Sequence, residues 1–209
     1  MEEIDPDLGV LQRVAAGDAE SFGVLLQRHE KRLQQLCLRL LGEKETARDA
    51  VQDIFLKVYR SAGSFKPQGK VATWIYRIAV NHCFNRLRRQ RILRFFSFGE
   101  LVREGQDEGD ELELDPADPR PDAEEALRAR ERWRTTRRII DKLPENQRLV
   151  LVLAKFEGLS YKEIAQVLEI TEGAVESRLV RAMRTLQATE AEEGRNPGAG
   201  KKQVAGLRS

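Results

Sequence analysis

The sequence predicts an all-α chain: two small helical domains joined by a flexible acidic linker. Apolar residues recur at helical spacings of three, four and seven, and no alternating β-branched run suggests a strand. Pro, Gly and short polar clusters interrupt these patterns. Charge is also segregated. Thirty-six Lys and Arg nearly balance 34 Asp and Glu in 209 residues, for a net charge of +2, yet residues 1–95 carry +6, 96–125 carry −10, 126–189 carry +5 and 190–209 carry +1. Two basic blocks around an acidic one suit two domains that meet a polyanion, with a connector that the polyanion repels.

In the first block, Leu8, Val10, Leu11 and Val14 predict a short amphipathic helix ending at Gly17. Asp18 is placed to cap a longer one, whose core face is Phe22, Leu25, Leu26, Leu33, Leu36, Cys37 and Leu40, with Gly42 as its stop. Ala47, Ala50, Val51, Ile54, Phe55, Val58 and Tyr59 form a third stripe, and Val71, Trp74, Ile75, Ile78, Ala79 and Cys83 a fourth. Short connections make these four helices one bundle, assigned to residues 1–95. Residues 96–125 hold three prolines and few apolar side chains, too little to fold alone.

The second domain, 126–189, opens with an inner face of Ala126, Leu127, Trp133 and Ile140. Pro144 suits the first turn of a helix carrying Leu149, Val152, Leu153 and Phe156, which ends at Gly158. Ser160 and Glu163 have capping-box spacing and start a short helix with Ile164, Ala165 and Leu168 inside. Thr171 caps a last helix with Val175, Leu179, Ala182, Met183 and Leu186 inward, and residues 190–209 read as a disordered tail.

Several function classes fall away at this level. No apolar run approaches the roughly 20 residues that span a bilayer, so no membrane insertion is expected. Met1 to Pro6 show no basic or apolar signal regions, which predicts a cytoplasmic protein. Cys37 and Cys83 are far apart in sequence, match no disulfide or zinc pattern, and read as core fillers. His29 and His82 read as half-buried helix residues, and no metal or cofactor site is expected.

Three constellations remain. Residues 66–94 carry Lys66, Lys70, Arg77, Arg86, Arg88, Arg89, Arg91 and Arg94 and no acid, interleaved with Phe65 just before them and with Trp74, Tyr76, Asn81 and Asn85. A solvated face usually mixes both signs. Here the bases suit phosphates, and the aromatics and amides suit exposed nucleobases. Residues 160–186 have helix-turn-helix spacing, with Glu172, Glu176, Ser177, Arg178, Arg181 and Arg184 offered to a major groove, although a plain helical hairpin shares the pattern. Asp49, Gln52, Asp53 and Leu56 lie outward on the third helix without a nucleophile, His or phosphate loop, which favours a protein docking face over catalysis.

In order, ETARDAVQDIFLKVYR, ATWIYRIAVNHCFNRLRR and LPENQRLVLVLAKFEGLSYKEIAQVLEITEGAVESRLVRAMRTL resemble a bacterial sigma factor of the extracytoplasmic-function group, sigma-70 superfamily, over roughly residues 8–188. The resemblance implies a non-enzymatic promoter-specificity subunit with a region 2-like bundle and a region 4-like helix-turn-helix domain. It implies that Asp49, Gln52, Asp53 and Leu56 bind the clamp helices of core RNA polymerase. Phe65 and Asn81 would hold a flipped minus-10 base, with Lys66, Trp74, Arg77, Arg86, Arg88 and Arg89 on adjoining DNA. Beside the polymerase flap, Thr171, Glu172, Gly173, Glu176, Ser177, Arg178, Arg181 and Arg184 would face the minus-35 element. An anti-sigma factor is an expected partner, and Phe95, Phe96 and Phe98 either finish the core or bind such an inhibitor. Two residues depart from the family pattern: Glu176, where many members carry Lys or Arg, and Glu169, where many carry Gly. The competing reading is a stand-alone helix-turn-helix regulator with a sensing or dimerising bundle.

Overall fold

The computed structural model describes residues 5–66, 69–97 and 140–195, with side chains of 91–97 and 189–195 left aside. The acidic segment, Ala126, Leu127, Trp133, Phe98, residues 196–209, and the side chains of Arg91, Arg94, Phe95 and Phe96 lie outside the described residues.

Local chemistry sets the helix ends of the first domain. Helix α1 spans Leu8–Ala15 and buries Val10, Leu11 and Val14. Helix α2 spans Ala19–Leu41: the Asp18 carboxylate accepts from the Glu20 and Ser21 amides, and Gly42, at φ 92°, ends the helix in a left-handed turn open to glycine. Helix α3 covers Lys44–Ser61, a 3-10 turn covers Ala62–Ser64, and α4 covers Val71–Ser97. Leu25, Leu33, Leu36, Ile54, Val58, Val71 and Ile75 are fully buried among these helices.

The start of the chain is tied down by polar groups. Arg28 Nη1 donates to Asp7 Oδ1, and His29 Nε2 lies against Asp7 Oδ2, both at 2.7 Å. Burial pushes the Asp7 carboxyl up, but these two partners outweigh it and hold it below the ordinary aspartate value. Asp5 accepts from the Val71 amide at 2.6 Å, fastening the segment before α1 to the start of α4. Cys37 and Cys83 are buried with their Sγ atoms 3.7 Å apart, as core fillers.

The second domain has a helical turn at 140–142, then α5 over Glu145–Lys155, α6 over Tyr161–Leu168 and α7 over Glu172–Arg195. Pro144 stands at the N-cap of α5, one residue before the first turn expected for it. Five consecutive residues, Leu149 to Leu153, are buried. At 100° per residue such a run cannot lie on one face. Helix α5 is covered by α6 and α7 of its own domain and by α2 of the first, while α6 packs on α4. The two domains share one continuous core.

Several expectations need correction. Tyr59, Phe156 and Met183, assigned to inner faces, are exposed. Tyr59 instead lies edge-on to Phe22 with ring centroids 5.0 Å apart. Tyr76, grouped with the nucleic-acid-facing aromatics, is buried. His29, expected half-buried, is buried against Asp7. Helix α7 runs to Arg195, past the expected domain end at 189, because Ala and Glu sustain it through Gly194 and Arg195, and Asn196-Pro197 follow in sequence.

Candidate nucleic-acid and polymerase interface

The loop after the 3-10 turn and one stripe of α4 form the first surface. Ser64 Oγ donates to the Ser61 carbonyl at 2.7 Å, and the Phe65 amide bonds to the Ala62 carbonyl, so the chain leaves α3 in a tight turn and Phe65 becomes extended. This brings Phe65 edge-on to Trp74, with centroids 5.4 Å apart. Lys70, Trp74, Arg77, Asn81 and Arg88 follow at helical spacings along one side. Lys66, Asn81 and Arg88 are exposed, and Phe65, Trp74 and Arg77 half-buried. Phe65, Lys66, Lys70, Trp74 and Arg77 line one wall of a cleft of about 520 Å³. Aromatic rings flanked by cations can stack a base while phosphates approach the Lys and Arg groups.

The second surface is the outward side of α3. Asp49, Gln52, Asp53 and Leu56 are all exposed, while Ala50, Val51, Ile54 and Phe55 between them are buried. Arg86 of α4, expected on the DNA side, turns toward this face, with Nη2 3.9 Å from Asp49 Oδ2. His82, half-buried as expected, joins it: Nδ1 lies 2.8 Å from Lys57 Nζ and Nε2 3.7 Å from Asp53 Oδ2. Burial first, then the Lys57 charge, lowers the His82 pKa below the ordinary histidine value. The structure thus joins the acid set to Arg86, and adds His82 and Lys57, which no short motif marks.

The third surface belongs to α6 and α7. Ser160 Oγ accepts from the Glu163 amide at 3.3 Å and Glu163 Oε2 accepts from the Ser160 amide at 2.9 Å, closing the capping box. Burial pushes Glu163 up, but bonds from Ser160 and Lys70 lower it overall. Glu169 turns the chain at φ 53°, and Thr171 Oγ1 accepts from the Ala174 amide at 3.2 Å, starting α7. Thr171, Glu172, Gly173, Glu176, Arg181 and Arg184 are exposed, with Ser177 and Arg178 half-buried beside them.

Residues missed by sequence reasoning lie where the domains meet. Arg39 Nη1 donates to Glu157 Oε1 and Tyr76 Oη to Glu157 Oε2, both at 2.9 Å. Among the described residues, no group of three or more His, Cys, Asp or Glu is placed to hold a metal ion, and no helix is long and apolar enough to cross a membrane.

Comparison with known proteins agrees with this arrangement. Residues 25–92 match the model for sigma-70 region 2, and residues 134–186 that for sigma-70 region 4. The chain is 33% identical to the RNA polymerase sigma-H factor of Pseudomonas aeruginosa over 184 residues, 87% of this chain and 92% of that one. It is 32% identical to the ECF RNA polymerase sigma-E factor of Escherichia coli over 187 residues, 89% and 95% of the two chains. The solved structure of CnrH in complex with the cytosolic domain of CnrY is similar at TM-score 0.63 and 26% identity, covering 90% of this chain and 99% of that one. The chain therefore belongs to the sigma-70 family, in its extracytoplasmic-function group of RNA polymerase sigma factors.

Proposed function

We propose that the chain acts in the cytoplasm as a promoter-specificity subunit without catalytic activity of its own. The α3 face of Asp49, Gln52, Asp53 and Leu56 docks on the clamp helices of core RNA polymerase. The α4 face binds the minus-10 element as it opens, and the exposed side of α7 reads the minus-35 element as duplex beside the flap. The observation that carries this reading is the Phe65 and Trp74 pair, set among Lys66, Lys70 and Arg77 with Asn81 further along the same stripe. A sensing or dimerising bundle needs no such face. The similarity to CnrH, solved with a cytosolic protein domain bound, supports an anti-sigma partner as well.

Copurification with core polymerase tests the docking face. Asp49→Ala with Asp53→Ala is expected to lower polymerase pull-down while helical content by circular dichroism holds, since both side chains point away from the core. Equal competition for core by the double variant would refute the docking assignment. Asn81→Ala is expected to leave closed complexes in place and impair strand opening, read by permanganate reactivity of unpaired thymines.

A further inference from the structure

We propose that His82 of α4 is a positioning residue of the polymerase-docking face: it draws Lys57 aside and so leaves the Asp53 carboxylate free for a cation of the polymerase clamp. This inference rests on reading the outward side of α3 as the docking face.

Asp53 and Lys57 are one helical turn apart on α3, acid before base, the spacing and order at which opposite charges on a helix surface usually pair. Such a pair would quench Asp53. Lys57 bonds to His82 instead, with Nζ 2.8 Å from Nδ1. An ammonium has only protons to give, so Nδ1 accepts, and the remaining proton of the neutral ring sits on Nε2. Nε2 is buried, makes no hydrogen bond, and lies 3.7 Å from Asp53 Oδ2. The His82 side chain is 11% exposed and that of Asp53 54%, so the fold holds the ring while the carboxylate reaches solvent. An imidazole fixed from a neighbouring helix thus replaces a flexible ion pair within α3.

The arrangement works only while the ring is neutral. Imidazolium carries a proton on both nitrogens and cannot accept from Lys57. Lys57 is then released toward Asp53, and the imidazolium adds a positive charge beside the same carboxylate. Burial first, then the Lys57 charge, keeps the His82 pKa below the ordinary histidine value of 6.5. Of the charged groups facing the ring, Asp53 on α3 favours the charged form, and Lys57 on α3 with Arg86 and Arg89 on α4 oppose it. The ring is therefore neutral at pH 7, and docking weakens as pH falls through the lowered His82 pKa. A clamp cation seated on Asp53 opposes imidazolium further, so binding and loss of the His82 proton favour each other.

The test measures the affinity of the full chain for core polymerase by competition. His82→Leu removes the acceptor and is expected to weaken binding about three- to fivefold at neutral pH, the scale of a partly exposed ion pair, with helical content unchanged. Adding Lys57→Met is expected to recover that loss in the His82→Leu chain and to give a smaller gain in the wild type, which a merely structural role of His82 would not produce. His82→Asn keeps an acceptor oxygen for Lys57 and does not titrate. It is expected to rescue affinity at neutral pH and to bind more tightly than the wild type below about pH 6. Wild-type affinity in His82→Leu, or an equal gain from Lys57→Met in both backgrounds, would overturn the proposal. If His82→Leu does not fold, a ratio of wild-type to His82→Asn affinity that stays constant from about pH 7.5 to 5.5 overturns it. Asp53→Ala separates the two readings. Unchanged affinity in that variant refutes the docking face itself, whereas weakened binding there beside an unaffected His82→Leu keeps the face and removes the role of His82.

Discussion

The two surfaces assigned to DNA are built on different chemistry. The face of α4 sets an aromatic pair beside cations, and residues 66–94 contain no acid. The exposed side of α7 has no aromatic residue from 171 to 184 and mixes Glu172 and Glu176 with Arg181 and Arg184. Aromatic faces interact with bases only when those bases leave the stack, whereas carboxylates and guanidinium groups can read edges in an intact groove. The contrast supports the proposed division, with strand opening in the first domain and duplex reading in the second.

The largest effect that would break this division is expected at Trp74. Trp74→Ala should impair open-complex formation by about 1–3 kcal/mol, the usual worth of stacking one base, with closed complexes little changed. Equal permanganate reactivity in variant and wild type would remove Trp74 from the opening machinery. Glu176 tests the other side. If it accepts a bond from a cytosine amino group, Glu176→Ala loses preference at one or two upstream positions, worth roughly 1–3 kcal/mol per base pair. Selection from a randomised upstream element reads this directly. An unchanged preferred sequence with tighter overall binding of Glu176→Lys would make Glu176 a rim charge and leave Arg178, Arg181 and Arg184 as the readers.

Smaller effects sharpen the comparison within the first domain. Arg88 is exposed on the α4 stripe proposed to bind DNA, so Arg88→Ala should weaken many promoters alike and lower the salt slope of holoenzyme binding by about 0.9, one phosphate contact. Arg86 sits instead beside Asp49 at 3.9 Å, with both side chains partly solvated. Such a pair is worth about 0–1 kcal/mol. Arg86→Ala is expected to change core polymerase affinity by no more than a few-fold, and a salt slope as reduced as that of Arg88→Ala would return Arg86 to the phosphate-contacting set.

What sequence alone determined was local. Asp18, Gly42, the Ser160 and Glu163 box and Thr171 act within four residues of the backbone groups they satisfy, so their types and spacing announce the helix ends. Period-3.6 patterns likewise identified most of the core stripes of α1 to α3, where the buried residues of each helix fall largely on one face. They failed where a helix meets two neighbours or its flank is covered by another domain. Helix α5 is buried all round from Leu149 to Leu153, which a single stripe cannot express. Tyr76 resembles an exposed aromatic in a basic run until Glu157, 81 residues away, covers it and takes its hydroxyl bond. Arg39 and Glu157 are separated by 118 residues and belong to no motif. Only tertiary structure could pair them, because a buried carboxylate is tolerable solely where distant elements bring donors to both of its oxygens.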